Sequence, residues 1–268
     1  MMKNKKIAIV GGGNLGQAIA KGIVNSKIIA ASNLTVTRRR VQLIQHIKDL
    51  GINVTSDNKQ AVADADILFI AVKPYQLKQI VEEISPVVKL GTIIISLATG
   101  VDSATIQSYF GKTLPIFRAM PNTAIAIGES MTCISAHQAN EEQEKTVLLL
   151  FEQLGQALII PEELMSSATV LAACGIAYAL RFIRASTQGG VEIGFGSDLA
   201  LKIAAQTVKG AAELLIQSGT HPEEEIDKVT TPRGITISGL NEMEHQGFSS
   251  ALIKGLITSY KKIENGKS

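Results

Sequence analysis

A chain of 268 residues is long enough for two ordinary domains and can bury a substantial core without disulfide or metal staples. Its formal charge of +2 excludes a general electrostatic affinity for nucleic acid. Hydrophobic residues are 46% of the chain and aromatic ones only 4%, with no Trp, so Ala, Ile, Leu and Val do the packing, as suits helices on a parallel sheet followed by a helix-rich part.

Residues 6–23 read KIAIVGGGNLGQAIAKGI and organise the rest of the chain. A short β-branched run leads into Gly11, Gly13 and Gly16 in G-x-G-x-x-G spacing, and Leu15, Ile19 and Ile23 then recur at helical intervals. A strand feeding a tight turn into a helix can hold a dinucleotide pyrophosphate, because the first N–H groups of the helix have no intrahelical partner. Gly11 is assigned the turn, Gly13 the close approach of phosphate and Gly16 the contact of helix with strand. The bland alternative is a glycine-rich turn without a ligand, and the strand before and helix after weigh against it. The basic flank MMKNKK precedes only four apolar residues, so no secretory signal is expected. No unbroken apolar run approaches the roughly 20 residues of a membrane span. The expectation is a soluble cytoplasmic protein with neither a membrane nor a nucleic-acid partner.

Residues 33–40, NLTVTRRR, form a second strand that ends about twenty residues after the glycines. An acidic residue there would bind a ribose 2′-hydroxyl. Thr37 followed by Arg38, Arg39 and Arg40 instead suits a 2′-phosphate, which predicts NADP with NADPH preferred and NADH possible. One or two of these arginines can equally be a solvated start to the next helix; Arg38 heads the candidates and Arg40 ends them. A helix over 41–50 closed by Gly51 and a short strand in 52–58 come next. The run at 67–72 is apolar throughout, as in a strand buried on both faces, and Lys73 and Pro74 lead into a helix. Residues 92–100, TIIISLATG, are another such strand. Because ligands sit beyond the C-terminal ends of strands in a doubly wound sheet, Lys73 and the turn carrying Ser96, Ala98, Thr99 and Gly100 belong near the cofactor.

A strand at 114–118, a turn at Met120, Pro121 and Asn122, a strand around 131–135, a helix over 141–155 and a strand at 157–160 complete a first domain, 1–161. The second, 162–268, reads as helical. Residues 166–190 are too apolar all round for a surface helix and are expected between subunits or within a bundle. A long helix ends at Gly219, and the loop TTPRGIT at 230–236 opens a helical tail. Pro232 fixes φ there, Gly234 permits close approach, and the Thr hydroxyls with a helix N-terminus can hold a carboxylate, or simply cap the helix. Cys133 and Cys174 lie in no ligand spacing and read as buried free thiols. His46, His137, His221 and His245 read as structural or solvated, Glu242 and Glu244 form no metal pair with His245, and no metal site is expected.

With these segments in hand, the chain resembles the pyrroline-5-carboxylate reductase family over nearly its full length. The resemblance rests on GGGNLG (Asn14 and Leu15 within it), on Ala71, Val72, Lys73 and Pro74 as AVKP, on RAMPNT ending in Asn122 and Thr123, and above all on VTTPRGITISGLNEMEHQGF at 229–248. It implies an N-terminal Rossmann-type NAD(P)-binding domain, an all-α C-terminal domain that dimerises by interleaving helices, a homodimer or a higher oligomer in which dimers assemble into larger rings, and hydride transfer from NAD(P)H to the C=N carbon of a cyclic imine, giving L-proline. By resemblance, Thr231 and the backbone at Ile235 and Thr236 bind the substrate carboxylate, and the Thr236 hydroxyl bonds the ring nitrogen and is the catalytic residue. Four positions depart from the family pattern. Arg233 stands for Gly, Ala124 for Pro, AACGIAY for S-G-S-G-P-A-Y, and Arg184 for Glu. Arg233 is expected to add an electrostatic contact to the carboxylate. Reduction of another cyclic imine acid, or a dinucleotide-binding regulator without turnover, are the alternatives.

Overall fold

The apolar runs of the first part form a single sheet in the computed structural model, which describes residues 2–266. Its eight strands are β1 (Ile7–Val10), β2 (Leu34–Thr37), β3 (Asn53–Thr55), β4 (Ile67–Ile70), β5 (Ile93–Ser96), β6 (Ile116–Met120), β7 (Ser130–His137) and β8 (Gly155–Ile159). The spatial order is β3-β2-β1-β4-β5-β6-β7-β8, and every pairing is parallel except the antiparallel β6–β7. The order reverses between β1 and β4, the place where a doubly wound sheet opens a crevice at its strand ends.

Strand periodicity explains why β1 and β4 are apolar at every position. Ile7 and Ile9 of β1 join Phe69, Phe117, Ile19 and Phe151 in one cluster, whereas Ala8 and Val10 join Leu68, Ile70, Leu77 and Ile106 in another. Successive residues point to opposite faces, and both faces are covered by helices. Each fully buried Leu, Ile or Phe contributes about 1.5–3 kcal/mol. Phe69 and Phe151 add an edge-to-face contact at 5.9 Å.

The helix expected over 41–50 is a 3₁₀ run, Val41–Leu50, closed by Gly51 at φ 82°. Its buried residues are Ile44 and Ile47, and a 3₁₀ turn stacks residues three apart on one face. Helix Pro74–Ile84 begins with Pro at its first turn, as its sequence predicts.

By compactness the chain divides into two units, Met1–Cys174 with Tyr260–Ser268, and Gly175–Ser259. The helical path from Glu162 runs through a 3₁₀ turn, a short α segment, a π-helical stretch at Thr169–Cys174 and the α-helix Gly175–Glu192. Over Glu162–Glu192 this is long and apolar enough, by length and composition, to cross a membrane. The unbroken apolar run within it is shorter, because Arg181 and Arg184 interrupt the sequence. Inside the second unit this helix meets Ser197–Ser218 where Ala200 Cβ lies 3.0 Å from a Cβ built on Gly190, Phe182 packs edge-on against Phe248 at 6.0 Å, and the Tyr178 and Ser259 hydroxyls are 2.7 Å apart. Cys133 and Cys174 are free and half-buried rather than buried, and burial still pushes the Cys133 thiol up.

Candidate functional site

Three glycines succeed β1, and the structure gives each a different reason. Gly11 has φ 112°, and a Cβ there would lie 2.4 Å from the Ala71 carbonyl oxygen. At Gly16 an added Cβ would lie 2.2 Å from the Gly11 carbonyl oxygen, so helix Asn14–Asn25 could not sit against the turn. Gly13 is different: its φ of −76° suits any residue and an added Cβ would meet nothing within 4 Å. The fold needs no glycine at Gly13, so the open space is available to a ligand. Gly13 is also the N-cap of Asn14–Asn25, without a side-chain cap and with no acidic residue in the first turn. Asn14 is exposed and Leu15 half-buried in that turn. Open N–H groups and a bare approach fit a pyrophosphate.

The end of β2 is bonded directly to this turn. The Thr37 carbonyl accepts from the N–H groups of Gly11 (3.2 Å) and Gly12 (2.7 Å), and Arg38 Nη1 donates to the Gly12 carbonyl at 2.9 Å. Arg38 is half-buried, while Arg39 and Arg40 are exposed. The Thr37 side chain is buried, and its hydroxyl donates to Asn58 Oδ1 at 2.6 Å. Gly11, Gly12, Thr37, Arg38 and Ala71 are therefore one contiguous cluster.

Beyond β4, Ala71 and Val72 are half-buried and Lys73 and Pro74 exposed at the start of helix Pro74–Ile84. Ala98 is buried after β5, its N–H accepted by Ser96 Oγ at 3.3 Å. Asn122 is heavily committed: its Oδ1 accepts from the Ala124 N–H (2.9 Å), its N–H donates to Ser130 Oγ (3.1 Å) and its Nδ2 donates to the Ala172 carbonyl (3.3 Å) in the π-helical stretch.

The loop at 230–236 lies in the second unit. Gly234 donates its N–H to the Thr231 carbonyl at 2.8 Å, and an added Cβ would lie 2.6 Å from Thr231 Oγ1, so only glycine closes the loop. Gly234 is the N-cap of helix Ile235–His245, whose first turn carries no acid, and Thr231, Ile235 and Thr236 are exposed. Arg233 holds φ 61°, the left-handed region that glycine adopts freely and that costs other residues about 1–2 kcal/mol. The loop thus keeps a glycine-like backbone while presenting a guanidinium.

Two constellations escape a reading of the sequence alone. Asn58 bridges Thr37 to Glu83, its Nδ2 donating to Glu83 Oε1 at 3.2 Å; an Asp-Asn pair at a helix start is the faint signal. Arg118, in the middle of β6 and buried, donates to Glu162 Oε1 at 2.9 Å, and the same oxygen accepts from the Ser103 N–H and hydroxyl at 2.8 Å. Burial pushes the Glu162 carboxyl up, but the hydrogen bonds from Arg118 and Ser103 and the Arg118 charge outweigh it and hold the group below its ordinary range. A charged residue in an apolar strand is the available sign. Among the described residues no group of His, Cys, Asp and Glu could hold a metal ion.

Comparison with known proteins bears on both parts. Residues 162–265 match the family described as pyrroline-5-carboxylate reductase dimerisation, and residues 6–100 the family described as NADP oxidoreductase, coenzyme F420-dependent. The chain is 45% identical to pyrroline-5-carboxylate reductase 2 of Dictyostelium discoideum, covering 98% of this chain and 93% of that protein. It is 46% identical to pyrroline-5-carboxylate reductase 1 of the same organism over 96% of this chain, and there it spans about half of the relative, 49%. The crystal structure of a Plasmodium falciparum pyrroline carboxylate reductase with NADP bound superposes with a TM-score of 0.91 at 28% identity, covering 100% of both chains.

Proposed function

This chain belongs to the pyrroline-5-carboxylate reductase family, and we propose that it reduces 1-pyrroline-5-carboxylate to L-proline with a hydride from NADPH, the last step of proline biosynthesis. The observation that carries the cofactor half of this reading is Gly13, the one glycine of the motif that the protein's own packing does not require. The Gly13 approach, with Asn14, Leu15 and Gly16 in the first helical turn, takes the pyrophosphate. Arg38, and Arg39 beside it, face the 2′-phosphate, while Thr37 anchors the turn through its carbonyl. Ala71, Val72, Lys73, Pro74, Ala98 and Asn122, all at the C-terminal ends of strands, line the remainder.

When bound, the nicotinamide supplies the hydride that adds to the imine carbon. The protein's work is placement and exclusion of water. Thr231 and the N–H groups of Ile235 and Thr236 hold the substrate carboxylate, with Arg233 adding a positive charge. The protonated ring nitrogen donates to the Thr236 hydroxyl, which fixes the face presented to hydride. The apolar helical unit forms a homodimer, and the long helix Glu162–Glu192 is read as interface rather than membrane span. A cytoplasmic location rests on the same family membership.

The test is NADPH oxidation with 1-pyrroline-5-carboxylate, run beside NADH and beside Thr236→Ala. Turnover that falls at least about ten-fold in the variant is expected. Tight NADPH binding without turnover by the wild type would overturn the reading.

A further inference from the structure

The cofactor turn is tied to a carboxylate that no motif includes. Thr37 holds the turn through two hydrogen bonds to its carbonyl, and its hydroxyl donates to Asn58 Oδ1 at 2.6 Å. Asn58 Nδ2 in turn donates to Glu83 Oε1 at 3.2 Å, across 25 residues of sequence and from helix Pro74–Ile84. A carboxylate can only accept, so the Asn58 amide must turn its NH₂ to Glu83 and its oxygen to Thr37. Thr37 then has to be the donor. The polarity of the whole relay is dictated from the Glu83 end, and the side chain of the residue that grips Gly11 and Gly12 is left in one orientation.

We propose that Glu83 is a positioning residue for the dinucleotide: through Asn58 and Thr37 it holds the end of β2, and with it the Gly11–Gly12 turn, in the conformation that receives the pyrophosphate. The inference rests on the dinucleotide reading above. It predicts an effect on cofactor affinity that is shared by NADPH and NADH, because the turn is common to both, and that leaves the chemistry untouched. Glutamine keeps an acceptor at the same reach and should preserve the relay; leucine removes it.

The experiment titrates NADPH and NADH into wild type, Glu83→Gln and Glu83→Leu by nicotinamide fluorescence, with the thermal midpoint of each cofactor-free protein and steady-state kinetics alongside. Glu83→Leu is expected to raise both dissociation constants about five-fold, the order expected for one lost hydrogen bond. Its kcat and its KM for the imine acid should match wild type, and Glu83→Gln should stay within about two-fold throughout. Unchanged affinities in Glu83→Leu overturn the inference. A change confined to NADPH overturns it too, because that marks the carboxylate as a charge acting on the 2′-phosphate. So does a Glu83→Gln that fails as Glu83→Leu does, or a loss that tracks a general fall in thermal midpoint and imine KM. If wild type itself binds neither dinucleotide, the functional reading fails first, and the titration shows this separately.

Discussion

The two compact units place their apolar side chains in opposite ways. In the first, Phe69, Phe117 and Phe151 are 0% exposed and the central strands β1, β4, β5 and β6 are buried at every position. In the second, Ala200 and Ala204 are the only buried residues among those described, while Leu199, Leu201, Ile203, Phe248 and Leu252 are 39–52% exposed. A sheet covered by helices satisfies itself within one chain; a set of amphipathic helices this apolar needs more surface to cover it. Residues 162–265 match a dimerisation family, and in the homodimer proposed above the covering surface is another subunit.

The contrast can be broken most severely inside the first unit. Gly16→Ala forces a Cβ against the Gly11 carbonyl and should cost about 3 kcal/mol, read as a large drop in thermal midpoint. Gly13→Ala, where space is open, should lower the midpoint by only a few °C, the order of a weakened N-cap, while weakening NADPH at least about ten-fold. If both variants behave alike, the distinction between a glycine kept for packing and one kept for a ligand is wrong. In the second unit, Leu199→Glu with Ile203→Glu puts two charges one helical turn apart on an exposed apolar face. Sedimentation should show the dimer weakened more than about 100-fold, and a dimer that survives at the same concentration would mean this face is not the interface.

The smallest effect concerns the Arg118–Glu162 pair. The Glu162 carboxyl is held below its ordinary value of 4.5 in the folded state. Its contribution to stability is therefore complete above that value and is lost as the pH falls through the lower, folded one. Wild type should lose thermal stability more steeply below about pH 4.5 than Glu162→Gln, which should be less stable at pH 7 and flatter in acid. Parallel acid limbs would show that the pair does not govern this range.

Much of the candidate site is legible because its determinants are local. Gly11, Gly13 and Gly16 lie within one turn and a helix start; the runs of β4 and β5 announce doubly buried strands; Gly234 and Thr231 are three residues apart. The illegible part is held together across the chain. Thr37 reaches Asn58 and Glu83, and Arg118 reaches Glu162 and Ser103, through contacts between residues 21 to 59 positions apart. The 3₁₀ character of Val41–Leu50 is hidden for a related reason, since the i, i+3 spacing of Ile44 and Ile47 satisfies either helix type until packing chooses.

Sequence alone determined that this protein has a doubly wound sheet with a glycine turn at its first strand and a helical second part interrupted by the loop at 230–236, because hydrophobic period and turn chemistry act over a few residues. Only the tertiary structure decided which glycine is free for a ligand, which way the Thr37 hydroxyl points, and which charge sits behind it. Those depend on what lies across space from each atom, and side chains distant in sequence meet only once the sheet and its helices have closed around them.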